Sequence, residues 1–250
     1  MSREHAKSAR FRFYEELNDF LPRENRKKEF EYRFSGGPSI KDAIEAIGVP
    51  HTEVEIIVVG GESVGFDYHL GDGDRVSVYP MFESVDVTPL LRLREEPLRV
   101  TRFVADVHLG KLARLLRMLG FDTAYGKDLS DLDIIDLALR ERRIVLTRDR
   151  GLLKNNAVTH GYCVRSEDPL RQAREVVRRF DLSSGVKPFH RCMVCNGNLV
   201  GVDKDDIVGR APQGTIRYFD EFYQCEGCGK LYWKGSHFDH MKKCVQEIIG

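Results

Sequence analysis

Four of the six cysteines form two Cys-x₂-Cys pairs, Cys192 with Cys195 and Cys225 with Cys228. Two such pairs supply four thiolates, the donor set of a tetrahedral Zn²⁺ site whose closed coordination makes the metal structural. Two disulfides are the competing use of the same residues, disfavoured in a reducing compartment. Carboxylates offer a second chemistry. The apolar run Ile144-Val145-Leu146 reads as a buried strand and ends at Thr147-Arg148-Asp149. Upstream, Arg102-Phe103-Val104-Ala105 ends the same way, at Asp106. In open parallel sheets ligands bind beyond the carboxyl ends of the strands, so two acids placed there can converge on a hard cation. Asp149 has a second reading, as the N-cap of a helix predicted from Arg150 to Asn155.

The elements that must position these groups follow from hydrophobic period. In residues 6–82, Ala9–Tyr14 and Glu29–Phe34 alternate as strands. Ser39 to Gly48 reads as a short helix, started by Pro38-Ser39 and ended by Gly48, with Ile40, Ala43, Ile44 and Ile47 on one face. Val54–Val59 and Arg75–Pro80 are further strands, and His51 and His69 are expected at the surface. Residues 83–98, with Pro89 and Pro97, read as a linker. In residues 99–182 strands alternate with helices, which argues a parallel sheet with crossovers. The helix after Asp106 carries Leu112, Leu115, Leu116 and Leu119 on one face and Lys111, Arg114 and Arg117 on another. Asp131 stands at the start of the next helix, and Asp168-Pro169 starts a basic one through Arg179. Residues 187–250 hold the cysteine pairs and read as a zinc ribbon. The fold class expected is therefore α/β.

Charge is zero overall but unevenly spread. Residues 1–98 carry 13 Lys/Arg against 19 Asp/Glu, and residues 99–180 carry 17 against 11. A basic middle segment can meet a polyanion such as nucleic acid, or it can be a solvated Arg-rich surface. No apolar run reaches the ~20 residues that span a bilayer, so no membrane association is expected. The amino terminus lacks an apolar leader, which implies a cytoplasmic location.

Two resemblances carry the reading further. The order of strands and helix in residues 6–82, closing on LGDGDRVSVYP, resembles the ubiquitin-like sulfur-carrier proteins, a β-grasp fold. Those carriers end in a free Gly-Gly, whereas Val78-Tyr79-Pro80 runs on into Met81. Carriage is therefore disfavoured, and a protein partner is the role expected of this domain. The stretches FVADVHLGKLARLLRMLGFDT and SDLDIIDLALRERRIVLTRDRGLL resemble the PIN-like RNase domain at the carboxyl terminus of the mut-seven exoribonucleases, which in bacteria and archaea follows a ubiquitin-like domain. The resemblance covers residues of about 100–240 and extends through Tyr232-Trp233 and Gly235-Ser236-His237.

It implies a metal-dependent ribonuclease acting on single-stranded RNA. Hydrolysis of a phosphodiester builds negative charge beside an anionic backbone, and carboxylate-bound Mg²⁺ or Mn²⁺ offsets it and activates a water. Asp106, Asp131 and Asp149 are the acids expected to hold that ion, with Asp128 and Asp133 in reserve; Asp131 can alternatively cap its helix. Lys111, Arg114, Arg148 and Arg150 are expected to hold phosphates, with His237 at the edge of the site. Arg150 stands where the family often has a further acid, which leaves open one metal or two. Tyr232 and Trp233 either stack on bases or pack the ribbon on its neighbour. The rival function is a nucleic-acid-binding or adaptor protein with a degenerate acid site.

Overall fold

A computed structural model describes residues 7–80 and 101–250, and the linker expected over residues 83–98 lies outside them. The described residues fall into two compact units. One holds residues 7–80 with Asp149–Cys163, the other residues 101–148 and 164–250.

In the first unit, β1 (Lys7–Phe13) alternates exposed and buried residues and pairs antiparallel with β2 (Phe30–Phe34). Helix α1 (Ile40–Ile47) starts at Ser39, whose hydroxyl accepts the Asp42 amide, and stops at Gly48. Gly48 sits at φ +124°, a conformation that a side chain would strain. Three strands follow, β3 (Ile56–Val59), β4 (Glu62–Val64) and β5 (Arg75–Tyr79). Their order is β2-β1-β5-β3-β4, with β1 and β5 parallel at the centre. This is the β-grasp arrangement; β4, only three residues long, carries too little alternation to be read from sequence. Phe11, Phe13, Ile40, Ile44 and Ile57 fill the core between sheet and helix. Each contributes roughly 1.5–3 kcal/mol relative to an exposed side chain.

The second unit opens with β6 (Phe103–Ala105), α2 (Gly110–Met118), β7 (Thr123–Ala124), α3 (Asp131–Glu141) and β8 (Ile144–Thr147). Strands β7 and β8 pair parallel on either side of β6. The chain then passes through α4 (Arg150–Leu153) and β9 (Gly161–Cys163), which belong to the first unit. It returns as α5 (Pro169–Arg179), capped by Asp168 as its sequence predicts. Three antiparallel strands follow, β10 (Leu199–Val202), β11 (Phe222–Cys225) and β12 (Leu231–Trp233), with α6 (Gln213–Tyr218) between the first two. Helix α7 (Phe238–Ile249) closes the chain. No described helix is long and apolar enough to cross a membrane.

Within the first unit, residues 149–163 pack on the β-grasp fold. His51 is buried, against the expectation of a surface residue, with its ring nitrogens 2.6 Å from the Glu45 carboxylate and 2.9 Å from the Val158 carbonyl. Glu53 is fully buried and accepts the Cys163 amide. Val158 and Cys163 are more than a hundred residues away in sequence, which hid the burial of His51 from a local reading. His69 is at the surface as expected.

Candidate functional site

The cysteines come together as the sequence expects. The sulfurs of Cys192, Cys195, Cys225 and Cys228 all lie within 4.8 Å of one another. Cys192 and Cys228 are 3.7 Å apart, and Cys195 and Cys225 are 3.3 Å apart. Tetrahedral Zn–S bonds of about 2.3 Å put sulfurs about 3.8 Å apart, so the donor set and its spacing fit such an ion. Burial opposes ionisation of Cys192, yet hydrogen bonds from the Tyr232 hydroxyl and from the backbone amides of Cys195 and Val194 draw its thiol down to about 6. Burial, together with the neighbouring sulfurs, holds Cys195 up at about 12 against the Gly197 amide. One thiolate among four crowded sulfurs discourages the next, and a bound dication reverses that.

The knuckle around Cys192 and Cys195 is fastened to the parallel sheet by residues that the sequence did not single out. Arg117, placed by its spacing with the exposed bases of α2, is instead buried at 3% exposure. Its guanidinium donates to the Thr123 carbonyl at 2.8 Å and to the Val194 carbonyl at 2.8 Å. Asp122 accepts from Arg143 at 2.6 Å and from Asn196 at 2.7 Å, and pairs with Arg191 at 3.4 Å. Asn196 in turn accepts the Thr123 amide at 3.0 Å.

The acids are disposed as follows. Asp106, at the end of β6, is buried and accepts from the Thr147 hydroxyl at the end of β8, at 2.6 Å. Asp131 is exposed on the first turn of α3. It is not the cap: Ser130 accepts the Asp133 amide, and the Asp133 carboxylate accepts the Ser130 amide in return. Asp133 is thereby engaged, while Asp128 is exposed. Asp149 caps α4, accepting the Gly151 amide at 2.7 Å. Asp106 and Asp131 lie in the second unit and Asp149 in the first. Within either unit, among the described residues, only the four cysteines form a group of three or more side chains close enough to share a metal ion.

The basic candidates divide similarly. Lys111 and Arg114 are exposed on α2. Arg148 pairs with Glu167 at 3.3 Å. The Arg150 guanidinium lies 4.9 Å from the Phe20 ring centroid in the first unit. His237 is exposed at the start of α7.

The model of the Mut7-C RNAse domain matches residues 101–245. The chain belongs to that family. The Mut7-C ubiquitin model matches residues 6–86, so the β-grasp fold is the ubiquitin-like partner of the Mut7-C domain. No curated protein and no solved structure matches the chain. The Mut7-C match runs without a break from the parallel sheet through the cysteine cluster into α7, and thus treats sheet and ribbon as one domain. The bonds made by Arg117, Asp122 and Asn196 are the physical counterpart of that continuity.

Proposed function

We propose that this Mut7-C protein is a metal-dependent ribonuclease of PIN-like type that hydrolyses single-stranded RNA. The observation that carries the reading is the match of more than half the chain to an RNAse domain. The position of Asp106 supports it. The residue stands at the carboxyl end of an interior parallel strand, where ligands of such sheets bind, and the Thr147 hydroxyl holds its carboxylate in place. Asp106, Asp131 and Asp149 are the proposed catalytic acids, an all-oxygen set that suits Mg²⁺ or Mn²⁺. Such an ion would supply charge neutralisation at the phosphate and a more acidic water. The chain itself orients Asp106 through Thr147, presents Asp131 outside the capping box, and offers Lys111, Arg114, Arg148, Arg150 and His237 to the backbone. Zn²⁺ held by Cys192, Cys195, Cys225 and Cys228 is structural in this reading, because four thiolates leave no open position. The ubiquitin-like match supports a protein partner for the β-grasp domain.

The test is cleavage of a single-stranded RNA oligomer with Mn²⁺ by wild type and by Asp149→Asn. Asparagine caps a helix as well as aspartate does, so the substitution removes charge without removing the cap. We expect a loss greater than the roughly 10–100-fold that follows when an outer partner of a metal ligand is removed. Equal cleavage by both proteins would sink the assignment. The capping role of Asp149 favours one rival reading, a Mut7-C domain that binds RNA without cutting it. RNA binding by wild type with no Mn²⁺-dependent cleavage would select that reading.

A further inference from the structure

Between the ribbon and α7 lies a cavity of about 290 Å³ whose wall carries five aromatic side chains, Phe189, Tyr223, Tyr232, Trp233 and Phe238. All five are half-buried. Tyr223 and Tyr232 stand opposite one another on β11 and β12, and so share a face of the ribbon. Phe189 and Phe238 pack on each other with centroids 4.8 Å apart. Trp233 leans on the ribbon's core cluster around Ile207 and Phe222 and still reaches the cavity wall.

The rim carries basic side chains. His190, Arg191 and Lys234 belong to the lining, which among the described residues includes no carboxylate. Lys230 lies 5.8 Å from the Tyr232 ring centroid and Lys242 lies 5.2 Å from that of Phe238. Arg191, Lys234 and Lys242 pair with Asp122, Glu221 and Asp239 outside the lining. His190 has Nδ1 3.0 Å from the Pro188 carbonyl, so in the neutral ring Nδ1 donates there and Nε2 is an acceptor.

We propose that this cavity takes one base of a single-stranded RNA, stacked on the tyrosine pair, with the flanking phosphates on the basic rim. The inference rests on the ribonuclease reading and adds a substrate subsite to it. A volume at the lower limit of small-molecule sites suits one planar base. Aromatic rings beside cations are the means by which proteins hold single strands without reading their sequence.

Trp233 is the only tryptophan, so its emission reports directly on the cavity. Full-length protein carrying Asp149→Asn, to suppress cleavage, is titrated with an adenosine RNA decamer and with an abasic decamer of equal charge. We expect saturable quenching by the first and not by the second. Tyr223→Leu weakens binding about tenfold, the effect of losing one stacking partner, and Tyr223→Phe keeps it. Zinc content and melting temperature show that both variants fold. Equal affinity for the abasic decamer, or unchanged affinity in Tyr223→Leu, overturns the proposal. RNA hydrolysis by wild type without quenching sinks the cavity alone. Quenching without hydrolysis leaves the cavity and sinks the ribonuclease reading.

Discussion

Asp122 joins three parts of the Mut7-C domain with one carboxylate. It follows Phe121 just before β7, takes Arg143 from the start of β8, and takes Arg191 and Asn196 from the first knuckle. Burial works against its ionisation, but the hydrogen bonds from Arg143 and Asn196 and the two guanidinium charges prevail and hold its carboxyl below the ordinary range. A depressed folded pKa means stabilisation that is complete above the unfolded value, about 3.9, and lost as pH falls through the folded one. Asp122→Asn should therefore cost about 2 kcal/mol at neutral pH, since Arg191 loses its carboxylate and Arg143 keeps only Glu141. The loss should shrink as pH drops below 4. Unfolding free energies measured by urea titration across pH 3–7 check this, and a cost independent of pH would show that the charge is not what matters.

Helix α2 acts as the mount for the ribbon. Its carboxyl-terminal turn offers the Leu119 and Met118 carbonyls to the amides of Lys187 and Phe189, and Arg117 reaches from the same turn to the knuckle. Gly120 ends that turn at φ +98°, where a Cβ would stand 2.2 Å from the Lys187 carbonyl oxygen. Two backbones can run this close only because the residue has no side chain. Gly120→Ala should destabilise the domain by more than the roughly 1 kcal/mol expected from φ alone. Its melting temperature should fall by several degrees, and a melting temperature within one degree of wild type would refute the close approach. The helix boundaries themselves were legible: the Ser39 and Asp168 caps and Gly48 follow local rules of side-chain and backbone chemistry. The assignment of Arg117 to the polar face of α2 failed because period counts neighbours along one helix, whereas two of the three carbonyls that hold Arg117 lie 76 and 77 residues away.

For the molecule as a whole, the cysteine cluster and the parallel sheet share one unit, so metal occupancy and folding should be coupled across it. Purified protein should contain about one zinc per chain. Stripping it with a strong chelator should lower the melting temperature of the sheet along with that of the ribbon. Elemental analysis and calorimetry before and after chelation test this; an unshifted main transition would mean that the ribbon contributes nothing to the sheet. The amino-acid sequence alone was sufficient for the β-grasp order, the strand–helix alternation of residues 99–182, the clustering of the four thiols and the strand-end position of Asp106. Each of these depends on spacing within a few residues or on a metal's fixed demand for ligands. Only the tertiary structure decided that His51, Glu53 and Arg117 are buried. It alone brought Tyr223, Tyr232 and Phe238 around one cavity. Burial and convergence are set by partners distant in the chain, and no local period encodes which distant partner arrives.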